Sequence, residues 1–414
     1  MTYPLPESAA TLAAMETQMR ASHRVRTLVQ LQDYQHRVIR DLTSVRISGT
    51  VQVDADAEQS TRGLTLELLD PTDMLGLSTG ERIASQARMV QVWKSIYVEA
   101  VESWIDTPVF CGPLSKPNRG GDVLSIEAKD KVTFAADPRE TYTVKAGTNK
   151  ATAIKQLMAA ACGETRFRVA STSERMQDDH TVDSKERSAW DLVKLICKSL
   201  GWVCFYDGAG YLVCKPRPTT PVTEFRSGPG GSLTGEVDTG FWDEEIVNRV
   251  TVTGGVVSRT TITASVTVEA GHPLSPENLR TNVGERRWFK TEYIEDTNIS
   301  SYSQALALAK RRLLERSVQQ ASSTFEALPF WHIQEHDPFA VETSDGMVVS
   351  RLSKTSIPLS SEGAQSFGYL TATGQATRRP MRIRGKNPYL SKAEQKVAAS
   401  KRRAAATQAR KARR

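Results

Sequence analysis

The 414-residue sequence predicts a β-rich α+β protein built from several domains. Three observations carry that prediction. Long stretches alternate apolar and polar residues, two capped helical stretches interrupt them, and a Pro/Gly-rich run separates an earlier block of β-pattern from a later one. The length suits roughly two to four domains of ordinary size.

Taken in order, residues 1–24 form an N-terminal arm. Its stretch SAATLAAMETQM has a short amphipathic helix pattern, compatible with a frayed arm or a docked one. Residues 25–139 change to period two and read as an antiparallel sheet or barrel. In SVRISGTVQVD, Val45, Ile47, Gly49, Val51 and Val53 alternate with Arg46, Ser48, Thr50, Gln52 and Asp54, which predicts a strand with one wet face. RGLTLELLD repeats the pattern with Leu64, Leu66 and Leu68, and MVQVWKSIYV and VLSIEAKDKVTF are further strands.

Residues 140–215 read as an inserted α+β domain. Ala151, Ile154, Leu157, Met158 and Ala161 recur at helical spacing, with Gly163 as the stop. SAWDLVKLICKSLG opens with Ser188 and Asp191 at capping-box spacing and ends at Gly201. WVCFY and YLVCK around Asp207-Gly208-Ala209-Gly210 predict a hairpin. Residues 216–235 (PRPTTPVTEFRSGPGGSLTG) read as a linker or long loop.

Residues 236–375 return to β-pattern in IVNRVTVTG, TITASVTVEA, STFEAL, DPFAVE, GMVVSRL and FGYLTATG. One helix interrupts at 300–316, with Tyr302, Leu306, Ala309 and Leu313 on one face. Residues 376–414 form a basic tail of mostly Ala, Lys, Arg and Gln, helical or disordered, which lacks the apolar residues for a core.

The formal charge of +7 hides an asymmetry. Of 54 basic residues, 14 lie from Arg378 onward, against one acid, Glu394; the preceding 377 residues hold 40 basic and 46 acidic groups. The body is therefore mildly acidic and the tail carries the excess positive charge. That tail suits either a disordered solubilising extension or non-specific contact with nucleic acid or an acidic surface. Its one aromatic residue, Tyr389, makes no stacking platform for single strands. No apolar run approaches the roughly 18 residues of a membrane helix, and the start lacks a secretory signal pattern, so a chain made in a cytosol with no stable membrane insertion is expected. Cys111, Cys162, Cys197, Cys204 and Cys214 are odd in number and form no CxxC, which argues for buried thiols over disulfides or a thiolate metal site.

The sharpest chemical motif is HIQEH at 332–336, which fits the H-x-x-E-H pattern of inverted zinc peptidases. That chemistry would need His332 and His336 as ligands on one helical face and Glu335 to polarise a zinc-bound water. Pro329 and Pro338 bracket the motif, so PFWHIQEHDPFAVE reads as strand, turn, strand instead. Asp178, Asp179 and His180 read as a polar loop. His23, His36 and His272 lie apart from any nucleophile motif, and the glycines of SGPGGSLTG lack the strand and helix of a phosphate cradle. No residue is assigned a catalytic, cofactor-binding or metal-binding role, and the chain is not read as an enzyme.

The order of segments resembles the hub, or minor tail and baseplate hub, proteins of long-tailed phages. The resemblance spans roughly residues 25–375. Its carriers are TPVFCGPLSKPNRGGDVLSIEAKDKVTF, where an F-x-G turn precedes a strand ending at Asp, then YTVKAGTNKATAIKQLMAAACGE and SAWDLVKLICKSLGWVCFYDGAGYLVCKP. IVNRVTVTGG and the pair ALALAKRRLLER and LPFWHIQEHDPFAVET follow. The resemblance implies two tube-like antiparallel β-barrel or sandwich domains per subunit, with smaller α+β domains outside. It implies a homotrimeric ring at the virion tail tip that joins the tail tube, or distal tail protein, to other tail-tip proteins. Such a ring encloses a channel for the tape measure protein and, during genome ejection, DNA. A mildly acidic body would let DNA pass without sticking. Alternatives are another minor tail or receptor-binding protein, a zinc hydrolase using His332, Glu335 and His336, and a nucleic-acid binder acting through the tail.

Overall fold

The computed structural model describes residues 9–21, 23–57, 60–70, 89–136, 140–183, 188–242, 247–257, 260–269, 275–276, 289–316, 319–343, 346–360 and 364–373. The basic tail, and the expectation that it is helical or disordered, lie outside these residues.

The chain begins with helix α1 (Ala9–Arg20), followed by strands β1 (Val25–Gln32), β2 (Val38–Asp41), β3 (Arg46–Asp54), β4 (Arg62–Leu69), β5 (Met89–Val98), β6 (Ser103–Gly120) and β7 (Val123–Lys129). Next come α2 (Val132–Ala136), β8 (Tyr142–Val144), α3 (Lys150–Cys162), β9 (Phe167–Val169), β10 (His180–Val182), α4 (Ala189–Leu200), β11 (Trp202–Tyr206) and β12 (Leu212–Pro216). The rest comprises β13 (Glu224–Phe225), β14 (Asp238–Trp242), β15 (Arg249–Val257), β16 (Thr260–Thr267), β17 (Thr291–Glu295), α5 (Tyr302–Arg316), β18 (Gln319–Ala327), β19 (Pro338–Thr343), β20 (Gly346–Pro358) and β21 (Gln365–Thr373). This is the β-rich α+β class expected from the patterning. No helix among the described residues is long and apolar enough to cross a membrane.

Contacts divide the described residues into two compact units: those up to residue 242 with those of 319–373, and those of 247–316. The stretch 236–375, read from sequence as one region, is shared between them. In the first unit one hydrogen-bonded path runs β14-β18-β21-β20-β3-β4-β7-β6-β5-β1-β2, with β19 on β20 and β13 on β19. The two expected tube walls are thus one sheet path, joined where β20 pairs with β3 from Lys354↔Asp54 to Pro358↔Thr50. Among the described residues the path closes into no barrel and ends at β14 and β2. The 13-residue β20 makes this continuity possible, because it is long enough to pair β19, β21 and β3 along its length.

Alternation places the core as expected in β4, where Leu64, Leu66 and Leu68 are buried. It fails at the start of β3. The register shifts between Arg46 and Ser48, and that extra residue turns Ile47 to solvent at 51% exposure while Val51 and Val53 stay inside. β7 also stops earlier than the pattern VLSIEAKDKVTF suggested. The Asp130 carboxylate accepts from the Val132 N–H at 3.0 Å and starts α2.

The arm is docked over its described part. Met15 and Met19 of α1 are fully buried in the same core as Val92 and Ile96 of β5. The Pro/Gly run is no bare linker either. Phe225 of β13 is fully buried, with ring centroids of Phe325, Phe330, Phe339 and Phe367 at 4.9–5.4 Å. Burial of such a ring is worth about 1.5–3 kcal/mol, plus a further contribution from its edge-to-face neighbours.

In the inserted segment, Asn149 caps α3 by accepting from the N–H groups of Ala151 and Thr152, and Ser188 caps α4 by accepting from the Asp191 N–H. Gly163 (φ 70°) and Gly201 (φ 74°) end these helices in the left-handed region, as their positions predicted. β11 and β12 form the expected hairpin, with Cys204 opposite Cys214.

The second unit is a three-stranded sheet, β16-β15-β17, with α5 packed on it. Ala305, Leu308, Ala309 and Leu313 of the helix meet Val250, Val252, Ile262 and Ile294 in a small core.

Candidate functional site

The HIQEH segment takes a form that no helix-borne metal site could use. Pro329 to Asp337 is irregular, and His336 sits at φ 62°, a left-handed conformation that breaks any helical face. The strand expected at its start has ended at Ala327. Glu335 is fully buried and faces Arg62: its Oε1 accepts from Arg62 Nε and its Oε2 from Arg62 Nη2, both at 2.7 Å. His332 Nε2 lies 3.1 Å from Glu16 of α1. The motif's groups therefore diverge into separate structural contacts. Asp179, from the other suspected cluster, accepts from Lys145 Nζ at 2.8 Å and from the Ala146 N–H at 2.7 Å, which fastens its loop.

Around the Arg62–Glu335 pair the structure assembles a buried polar seam that sequence spacing did not reveal. Arg62 Nη1 donates to the Val109 carbonyl at 2.7 Å. Asp130 accepts from the N–H groups of Thr61 and Arg62 at 2.8 and 2.9 Å, and burial pushes its carboxyl up to about 6. Lys131 pairs with Glu164 in buried surroundings, while the partly exposed Arg168 and Lys215 pair with Asp207 and Asp337. Gln91 Nε2 donates to the carbonyls of Phe110 and Gly208, each at 2.8 Å. The hairpin turn 207–210 thereby docks onto β6. A Cβ on Gly208 would lie 2.2 Å from the Pro108 carbonyl oxygen, so this glycine serves close approach as well as the turn. The available signal was the charged Arg62 at an inward position of an alternating strand. Its partner lies 273 residues away and is invisible to local pattern.

The features best suited to assembly are the two ends of the sheet path. Among the described residues β2 pairs only with β1, through Gln30↔Asp41, Leu31↔Arg40 and Gln32↔Val38, which leaves Ile39 as a bulged residue. All four residues of β2 are exposed, Val38 at 50% and Ile39 at 51%, and Tyr34 beside them is 45% exposed. The turn that presents this edge is firmly built. Asp33 accepts from the Gln35 and Arg37 N–H groups, each at 2.9 Å, and from Arg37 Nε at 2.6 Å; these bonds hold its carboxyl below the usual range. His36 follows at φ 60°. Its imidazole is pushed down to about 3, chiefly by burial and then by Arg166 and Lys131, so it stays neutral in the turn. At the opposite end, β14 pairs with β18 from Asp238↔Thr324 to Trp242↔Gln320 and with no other strand among the described residues. Unpaired strand edges carrying exposed apolar residues are templates for further strands.

No family model and no curated protein matches this sequence. Solved structures do. The tail protein from Neisseria meningitidis MC58 is similar over 84% of this chain and 97% of its own, with a TM-score of 0.57 at 13% identity. The 43 kDa tail protein of prophage MuSo2 from Shewanella oneidensis is similar over 84% of this chain and 98% of its own, with a TM-score of 0.54 at 12% identity. The chain thus has the fold of these two tail proteins across nearly their whole length, and the resemblance to tail proteins expected from the order of segments holds at the level of fold.

Proposed function

We propose that this chain is a structural subunit of a phage-type tail tip, a hub ring that joins the tail tube to tip components. The observation that carries this reading is that the fold accounts for 97% and 98% of the lengths of two tail proteins, with no large domain left over on their side. The open ends of the sheet path support it. A copy that meets the next one head to tail through different edges builds a closed ring when the rotation closes.

On this reading the ring is a homotrimer in the virion, made in the host cytoplasm. It contacts the distal tail or tube protein and other tip proteins, and it surrounds the path of the tape measure and of DNA during ejection. The mildly acidic body suits a passage for phosphates, and the basic tail suits an acidic neighbour outside that passage. The buried seam is structural and the chain acts without catalysis.

Native mass spectrometry of the purified chain tests the proposal. A trimer, or growth of a trimer with concentration, is expected, and it should persist when residues 378–414 are removed. A monomer at every concentration, alone and with the tail-tube protein present, would overturn it.

A further inference from the structure

A cavity of about 260 Å³ opens where β5, the segment after β18 and the end of β20 meet. Val25, Leu328, Pro329, Trp331 and Pro358 give it apolar walls, and Lys94 supplies its cation. Lys94 is 2% exposed, although it carries the most strongly hydrated of side-chain cations. Its Nζ donates to the Ser360 carbonyl at 2.8 Å and stands 5.2 Å from the centre of the Trp331 ring. Neither contact neutralises it.

Arg46 adds positive charge nearby rather than cancelling it. Arg46 uses Nη1 on the neighbouring Leu359 carbonyl at 2.6 Å, while its Nε is buried with no acceptor. His23 also lines the cavity. Thr27 and Thr107, the strand neighbours opposite Lys94, are uncharged. No carboxylate among the described residues pairs with Lys94 or Arg46. Burial, and then the charge of Arg46, bring the Lys94 amine down to about 7.

Among the described residues this buried amine has no counter-charge, and an entering anion would offset part of the cost of its charged form. From this geometry we infer that the Lys94 cavity is a binding site for a carboxylate carried on a short apolar stem. The carboxylate takes the free donors of Lys94, and the stem lies against Trp331, Leu328 and Pro329. A free organic acid and the C-terminal carboxylate of a polypeptide ending in an apolar residue share this chemistry. The inference does not depend on the proposed hub role.

Isothermal titration of the full chain with phenylacetate and with N-acetyl-leucine tests the site and separates the sources. Saturable binding with a dissociation constant of about 1 mM or tighter is expected for at least one of them, in line with the efficiency of small ligands. Tighter binding of phenylacetate assigns the site to free acids, and tighter binding of N-acetyl-leucine assigns it to chain ends. Phenylacetamide and N-acetyl-leucinamide, which lack the charge, should bind at least tenfold more weakly. Lys94→Met should abolish binding while the chain stays folded by circular dichroism, because Met has the shape without the buried charge. Trp331→Phe should keep it within a few-fold. The inference is overturned if neither acid saturates, if an amide binds as well as its acid, or if folded Lys94→Met binds as the parent does.

Discussion

Arg62 shows how strand alternation can place a residue without revealing its partner. Its position at the head of RGLTLELLD puts it in line with Leu64, Leu66 and Leu68, and the structure buries it with them at 4% exposure. A lone charge there would be prohibitive. Glu335, the same residue that made HIQEH look like a peptidase motif, supplies the counter-charge through a two-point contact. Removing one partner leaves the other buried and uncompensated. Arg62→Met is therefore expected to lower the unfolding free energy by about 3–5 kcal/mol, measured by urea denaturation. Adding Glu335→Leu should recover most of that loss, since a matched apolar pair carries no desolvation cost. A double variant no more stable than Arg62→Met would mean that the loss comes from the Val109 carbonyl left without its donor instead.

At the scale of elements, β6 is the decisive strand. From Ser103 to Pro113 it pairs with β5, and from Leu114 to Gly120 it pairs with β7. The F-x-G stretch expected as a turn, Phe110-Cys111-Gly112, is instead strand paired with β5, just before the crossing at Pro113 and Leu114. A Cβ on Gly112 would stand 1.9 Å from the Lys129 carbonyl oxygen, which is backbone and unable to swing away. Gly112→Ala should therefore cost about 3 kcal/mol or more in a thermal or urea melt. Gly120→Ala, at the end of the same strand with no atom near its Cβ position, should stay within about 0.5 kcal/mol. Helix boundaries were far more legible than this crossing. Asn149, Ser188, Gly163 and Gly201 act on backbone groups within a few residues of themselves, so their effect is written locally. Phe225 was lost in its Pro/Gly surroundings because nothing near it in sequence announces the four rings that receive it.

At the scale of the whole molecule, the two sheet ends carry the argument for assembly. Among the described residues, β2 presents Val38, Ile39 and Arg40 on an edge with one strand neighbour, and β14 ends the other side of the path. If copies meet through these edges, a charge on the bulged, half-exposed Ile39 should weaken the ring without unfolding the subunit. Ile39→Lys is expected to shift the trimer to monomer by at least tenfold in midpoint concentration in mass photometry, with an unchanged melt. A trimer of undiminished stability would place the contact elsewhere.

What the sequence determined by itself was the kind of material. Period-two alternation specified strands, caps and stop glycines specified α3 and α4, and paired aromatic-rich segments around an Asp-Gly turn specified the β11–β12 hairpin. All of these are interactions over a few residues, where chain connectivity holds the partners together. Tertiary structure alone decided that two β blocks share one path through β20 and β3, that the arm's Met15 and Met19 belong to the main core, and that Glu335 answers Arg62 rather than a metal. Those outcomes join residues hundreds of positions apart. Their energies come from burial and from removing charges from water, which no single segment expresses until the others have packed against it.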